Sequence, residues 1–325
     1  MRIEQESSGV GCPRRQPLTT GSGTLGGIQP VPSSSARAIA ACAFTLLELL
    51  VVIAVIAVLA ALLLPVLART KQKAQGACCL NNGNQLMKAL RLYSSEYQSM
   101  LPPNPDWQCS NMWVAGDMGK PADATNAALL TDPARSVIAP FLSGSAAVFK
   151  CPGDRTAHVR TASMSQAVGT QPFSPGDAVD GPWLDGTHHH KANQPWRTYG
   201  QLDDIVAPAP SRLWVLIDED AANISDAAFA VSMAMPTAML DWPGSYHELG
   251  ANLQFADGHG ESHRWRDSRT RPGGRVAKGP HVQTPANPDI LWLQQRTSSN
   301  LETETPQHLR GGGASSRHAA IIGSL

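Results

Sequence analysis

Residues 44–65 read FTLLELLVVIAVIAVLAALLLP, an apolar run that decides how the rest of the chain is arranged. As a helix, residues 44–64 would span about 31 Å, close to the thickness of the hydrocarbon core of a bilayer. Glu48 is the one ionisable residue in this run. An unpaired carboxylate costs about 2.5–3.5 kcal/mol at the middle of a membrane helix and less near the interface. We therefore expect Glu48 to have a functional partner.

The residues around Glu48 also carry a family resemblance. Ala43, followed by Phe-Thr-Leu-Leu-Glu and a long aliphatic run, resembles the cleavage and methylation signal of type IV prepilins and type II secretion pseudopilins. Pro65 resembles the helix proline found in many of these proteins. The resemblance implies that a prepilin peptidase cuts between Ala43 and Phe44 and methylates the new amine. That amine would lie one helical turn from Glu48. We expect it, or the amine of a neighbouring copy, to be the partner of Glu48.

A second resemblance lies near the other end of the chain. His247 is followed by nine residues and then Asp257-Gly258, a spacing similar to the processing-associated His-x9-Asp-Gly group of pilin-like proteins. We expect a structural role for these residues, with Gly258 in a type I′ hairpin turn at positive φ and His247 packed or hydrogen-bonded across the hairpin. Further segments are similar to the same group: residues 79–82 (CLNN), 151–154 (CPGD), 211–219 and 288–293 (PDILWL).

The resemblance also implies a location and a set of partners. The chain would be a single-pass inner-membrane protein with its head in the periplasm, and it would enter a filament after assembly. Its partners would be the prepilin peptidase, the inner-membrane assembly machinery, the lipid bilayer, and other copies together with minor pilin-like subunits. The leader, residues 1–43, has a charge of +2 from four Arg and two Glu, which suits retention on the cytoplasmic side.

Two other interpretations of the apolar run remain open at this point. A conventional signal peptide would be cut after Ala68, which follows a small-residue rule, although Glu48 and the length of the run are unusual for one. An ordinary single-span anchor would carry Glu48 without a function. In either case the alternative function is a membrane-anchored or secreted periplasmic binding protein or hydrolase.

Composition and patterning give the expected organisation. The chain has 26 basic and 26 acidic residues, so no basic excess points to nucleic acid. We predict four parts, namely a leader (1–43), a transmembrane and stem helix (44–100), a globular head (101–296) and a disordered tail (297–325). The predicted fold class is α+β, in which the long helix packs on a loop-rich antiparallel β-sheet head, as in pilins.

Three local patterns support this organisation. Apolar residues at helical spacing from Cys79 to Tyr97 predict an amphipathic helix whose apolar side packs on the head. Residues 213–217 (LWVLI) read as a buried strand. Residues 252–256 and 260–265, separated by Asp257-Gly258, predict a β-hairpin.

The sequence predicts no catalytic site. It contains no His-Glu-x-x-His, no Walker loop and no Gly-x-Ser-x-Gly. His259, Glu261 and His263 would share one strand face, but their spacing fixes no further zinc ligand. Four acidic residues after the buried strand suggest calcium, which clustered carboxylates bind, although we favour a solvated turn. These calcium candidates are Asp218, Glu219, Asp220 and Asp226.

Four cysteines follow the predicted cleavage point, and export would permit disulfides. Cys78 and Cys79 are adjacent on the predicted helix, where their side chains point apart. We therefore expect the pair Cys109 and Cys151, which would close a loop of about 40 residues and contribute roughly 3–4 kcal/mol. The alternative is four reduced thiols.

Overall fold

A computed structural model describes residues 45–107, 109–188, 195–271 and 282–304. The chain divides into two compact units, Met1–Ile56 and Ala57–Leu325, with the boundary inside the first helix. The described part of the first unit is the start of that helix. The second unit combines helices with a β-sheet, so the predicted α+β class is confirmed at this level.

The described elements are five α-helices, nine strands and four short 3-10 helices. The α-helices are α1 (Leu46–Glu96), α2 (Pro121–Ala124), α3 (Ala128–Thr131), α4 (Pro288–Gln294) and α5 (Leu301–Glu304). The strands are β1 (Ala162–Ser165), β2 (Thr170–Gln171), β3 (Ser174–Ala178), β4 (Trp214–Asp218), β5 (Ala228–Phe229), β6 (Ala238–Met239), β7 (Gly250–Phe255), β8 (Gly260–Arg264) and β9 (Val282–Gln283). The 3-10 helices are Ala139–Leu142, Ala146–Phe149, Leu202–Asp204 and Ser268–Thr270.

Helix α1 contains 51 residues and continues through Pro65. The apolar side chains of residues 46–67 are largely exposed, whereas Leu86, Met87 and Leu90 are buried against the head. This confirms the predicted change from an apolar segment to an amphipathic one.

The main sheet has five strands in the order β5-β1-β4-β7-β8. Its central strand β4 is buried along its whole length, and β7 and β8 form an antiparallel hairpin, so both strand predictions are confirmed. The sheet is not purely antiparallel as predicted, because the edge strand β5 runs parallel to β1. Two small two-stranded sheets, β2-β3 and β6-β9, accompany it.

Strand β7 alternates between two buried environments. Leu253 and Phe255 join an apolar cluster that includes Leu293 of α4, whereas Asn252 and Gln254 reach backbone carbonyls of α1. The polar positions of this strand are therefore covered by the helix rather than by water.

Glycines of α1 permit this close contact. A Cβ on Gly83 would lie 2.4 Å from Nε2 of Gln254, and the Gly76 carbonyl accepts a hydrogen bond from Asn252 at 3.1 Å. Gly76 and Gly83 weaken a helix by propensity. Here Gly83 admits the Gln254 side chain of β7, and a Cβ on Gly76 would lie 3.4 Å from the His247 side chain.

The head extends beyond its predicted end. Thr297 is fully buried and accepts a hydrogen bond from the indole of Trp214 at 3.0 Å, while Ser298 donates one to the Arg197 carbonyl. The predicted boundary at Arg296 is therefore too early, because these hydroxyls are satisfied inside the head. The rest of the predicted tail, residues 305–325, lies outside the described residues.

Candidate functional site

The first candidate site is the start of α1, where Thr45 and Glu48 cap the helix reciprocally. The Thr45 backbone N–H and hydroxyl each donate to the Glu48 carboxylate at 2.9 Å, and the Glu48 N–H contacts the Thr45 hydroxyl oxygen at 3.2 Å. This is a capping box, which satisfies N–H groups that the first helical turn leaves open. Glu48 thus has a local partner in this structure. The predicted cleavage residues, Ala43 and Phe44, lie outside the described residues.

The helix that follows meets the requirements for a bilayer span. Within α1, an 18-residue window has a mean hydropathy of 3.2, and none of it is buried. This fits a single-pass membrane protein, and a signal sequence near the N-terminus would meet the same criteria.

The second candidate site is a buried group of four side chains that we name the Cys/His/Asp cluster. The cluster consists of Cys79, Cys151, Asp218 and His247. One ligand atom from each residue lies within 4.8 Å of the other three. Cys79 Sγ lies 3.0 Å from an Asp218 oxygen, and Cys151 Sγ lies 3.0 Å from His247 Nε2.

Four separate parts of the chain supply this cluster. Cys79 lies on the buried side of α1, and Asp218 is the last residue of β4. Cys151 opens the turn of residues 151–154, and His247 precedes β7. Gly153 lets the turn approach, because a Cβ there would lie 3.0 Å from Cε1 of His247.

The electrostatics of the cluster favour one thiolate. The hydrogen bond with the Cys79 thiol lowers the pKa of Cys151, and the hydrogen bond and charge of His247 add to this effect. Together they outweigh the opposing effect of burial, so the pKa of Cys151 falls to about 5. The hydrogen bond to Cys151 and burial raise the pKa of Cys79 well above its usual value. Burial and the neighbouring Cys151 charge raise the pKa of Asp218 to about 7. These opposite shifts favour the thiolate form at Cys151 and the neutral thiol at Cys79, which donates to the Asp218 carboxylate at 3.0 Å.

The ring of His247 completes this charge pattern. Burial alone would lower the pKa of His247, but hydrogen bonding and charge from Cys151, together with the Asp218 charge, raise it above its usual value. His247 thus does more than pack across the hairpin, because its ring nitrogen faces a buried sulfur.

The rest of the His-x9-Asp-Gly motif lies at the opposite end of β7. Gly258 has φ +95°, as predicted, and its N–H donates to the Phe255 carbonyl at 2.8 Å. Asp257 is not at positive φ, so the predicted type I′ turn is wrong. One positive-φ glycine closes the loop, the pattern of a longer hairpin loop. Arg91 of α1 covers it and donates to the Ala256 carbonyl at 3.0 Å.

The four calcium candidates do not converge. Asp218 faces the thiols, whereas Asp220 accepts a hydrogen bond from the Ala222 N–H. Glu219 and Asp226 lie instead near the buried guanidinium of Arg160. The predicted calcium set is therefore divided among three surroundings, and the one group of metal-ligating side chains found in the described residues contains sulfur, which calcium does not favour.

The predicted disulfide is also absent from the described cysteines. Cys109 and Cys151 are both free thiols. Cys151 is buried beside Cys79 and His247, and Cys109 instead packs at the edge of the main apolar core, with its pKa raised by burial. The two cysteines lie apart because the turn of residues 151–154 faces α1, where Gln75 donates to the Pro152 carbonyl at 2.9 Å.

A third feature is a cavity of about 460 Å³ beside the edge strand β5, whose Ala228 lines it. Asp226 and Asp241 line it, and burial raises the pKa of Asp226 to about 7 and that of Asp241 to about 6. The hydroxyl of Ser163 donates to the nearby Glu219 at 2.5 Å. Sequence reasoning did not predict this cavity.

Sequence reasoning also missed the Cys/His/Asp cluster as a unit. The CLNN and CPGD segments and His247 each stood out through the resemblance, but no short-range spacing connects them. Comparison with known proteins adds no further identification, since no family model, curated protein or solved structure matches this chain.

Proposed function

We propose that the chain is a structural subunit of a filament of the type IV pilus or type II secretion pseudopilus kind. The observation that carries the proposal is α1 itself, one helix that exposes an apolar segment at its start and packs on a globular head at its end. The family resemblance of residues 43–48 adds to this support. In this function the chain acts by assembly and carries out no reaction.

The exposed segment needs an apolar environment. Exposed fractions range from 46% for Val52 to 80% for Leu46 among its large apolar side chains. A continuous apolar surface of this length is unfavourable in water. A bilayer would cover it before assembly, and the equivalent helices of neighbouring copies would cover it in a filament core.

Glu48 fits both stages of this function. Its capping bonds to Thr45 lower the cost of placing a carboxylate near the membrane surface. After cleavage before Phe44, the new amine of the same or a neighbouring chain would lie within reach of that carboxylate. The expected role of Glu48 is to set the axial position of one helix against the next.

The test is to identify the mature N-terminus of the full chain, expressed with a prepilin peptidase and its assembly machinery. We expect mass spectrometry to find a mature chain that begins at Phe44 with a methylated amine. Ala43→Gly should be cut at least as well. Glu48→Gln keeps the shape and removes the charge, so it should be inserted and cut normally but enter filaments poorly.

The second candidate is a membrane-anchored or secreted periplasmic binding protein or hydrolase, and the cavity beside Asp226 and Asp241 favours it. The same experiment separates the two. A mature chain that begins at Arg69 would support ordinary secretion and refute the filament subunit. If Glu48→Gln assembled normally, the proposed electrostatic role of Glu48 would be refuted.

A further inference from the structure

We propose that the Cys/His/Asp cluster binds one divalent transition-metal ion, with zinc the best match, at a closed structural site. The ligands would be the sulfurs of Cys79 and Cys151, a carboxylate oxygen of Asp218 and Nε2 of His247. The proposal is independent of whether the chain is a filament subunit or a secreted protein.

The donor set selects the metal. Two sulfurs, one imidazole nitrogen and one carboxylate oxygen are the ligand types that bind zinc in proteins. Thiolates disfavour calcium and magnesium, which prefer oxygen alone. The calcium interpretation of Asp218 is thus replaced by a different ion that uses the same carboxylate.

The distances suit a four-coordinate ion. A tetrahedron with bonds of about 2.0–2.3 Å has edges of about 3.3–3.8 Å between its ligand atoms. In the cluster, two of these edges are 3.0 Å and all of them are at most 4.8 Å. Shifts of less than about 1 Å in side-chain atoms would bring the donors to tetrahedral positions.

The surroundings support the ligands. The Gly153 N–H donates to Cys151 Sγ at 3.3 Å, and the Asn252 N–H donates to Asp218 at 3.2 Å. Such outer contacts orient ligands and stabilise their charged forms. All four ligand residues are buried, which leaves no open coordination position of the kind that a catalytic zinc keeps.

The position of the site gives it a role. A metal ion there would join α1 to three parts of the head: the turn of residues 151–154, the end of β4 and the residue that precedes β7. These are contacts between residues far apart in sequence, 139 residues for Cys79 and Asp218 and 96 for Cys151 and His247. The ion would hold the stem helix on the sheet.

The experiment measures metal in the full chain, purified in detergent with a reductant. After equilibration with Zn²⁺ and removal of loosely bound ion, we expect elemental analysis to give about one zinc per chain. Replacing zinc with Co²⁺ should give the visible bands of a tetrahedral ion together with a thiolate-to-cobalt charge-transfer band. Chelator should lower the melting temperature of the head, and Zn²⁺ should restore it.

Matched variants assign the ligands. Cys79→Ser and His247→Asn should each weaken Zn²⁺ binding by at least about 100-fold, since even outer contacts contribute about 10–100-fold. Cys78→Ser, which changes the exposed neighbour of Cys79, should bind as the wild type does. A ligand variant could lose metal simply because it unfolds. The cobalt spectrum of the wild-type chain therefore tests, without any variant, whether thiolates bind the metal.

Two results would overturn the proposal. One is a reduced, folded wild-type chain that takes up neither Zn²⁺ nor Co²⁺ in stoichiometric amount. The other is a disulfide between Cys79 and Cys151, found by intact mass and peptide mapping, in a chain that binds no metal after reduction.

Discussion

The two ends of α1 belong to one helix but meet opposite surroundings. Leu59, in the first part, is 53% exposed, whereas Leu90, in the second, is fully buried in the core of the head. Helix propensity is similar for both, so the difference lies in what covers the side chains. The second part is covered by its own sheet, whereas under the proposed function a membrane or other copies would cover the first.

The largest expected effect comes from truncating one leucine in each part. Leu90→Ala should destabilise the head by about 2–5 kcal/mol, because it leaves a cavity in a packed core. The matched variant Leu59→Ala should leave the melting temperature of the head unchanged. Chemical denaturation of both variants in the same detergent measures the difference, and equal losses would show that the exposed part also packs on the head.

A smaller effect is expected from Asp226, whose pKa is raised to about 7, chiefly by burial. The folded chain keeps this proton while the unfolded chain loses it near pH 4, so stability falls as pH rises from about 4 to 7. Asp226→Asn should therefore match the wild type near pH 4. At pH 8 it should be more stable by about 1–4 kcal/mol.

Asp257 provides a control of opposite sign. Although burial opposes it, hydrogen bonds from His259 lower the pKa of Asp257. The folding stability that the Asp257 carboxylate contributes is thus present at neutral pH and is lost as pH falls through its pKa in the folded chain. Asp257→Asn should be less stable than the wild type at neutral pH, and this difference should close in acid. The same sign for both variants would contradict the assignment of burial as the cause at Asp226.

The smallest effect is expected at the turn that Arg91 covers. Gly258→Val should cost about 1–3 kcal/mol as a strained positive-φ position. A Cβ there would also lie 3.2 Å from the Arg91 guanidinium. Gly144, at φ +74° with nothing within 4 Å of its Cβ position, is the matched control. Thermal melts should show a larger loss for Gly258→Val than for Gly144→Val, and equal losses would mean that Arg91 adds nothing.

Local sequence signals predicted three parts of this fold, namely α1, β4 and the hairpin of β7 and β8. The five apolar residues 213–217 gave β4 within one residue, and the alternation around Leu253 gave the hairpin. These patterns work because burial on a sheet imposes a period of two within a few residues. The turn type was missed because Asp-Gly also serves a longer hairpin loop with one positive-φ glycine.

Such local signals could not predict the Cys/His/Asp cluster. Cys79 and Asp218 meet only because α1 lies along β7 and β4, a contact between residues 139 positions apart. Local reasoning therefore suggested a disulfide between Cys109 and Cys151 and calcium at the carboxylates at and after the end of β4. The polar residues Asn252 and Gln254 likewise gave no sign that a helix with glycines would cover them.

The contact between α1 and β7 has a mechanical consequence. Along the helix, Gly76 meets Asn252, Leu80 meets Gln254 and Arg91 meets Ala256, so the two elements run side by side in the same direction. A force applied along the axis of α1 would load these contacts in shear, all at once. Contacts loaded in parallel resist a larger force than contacts peeled apart one by one, so the head would follow the helix when the helix is pulled.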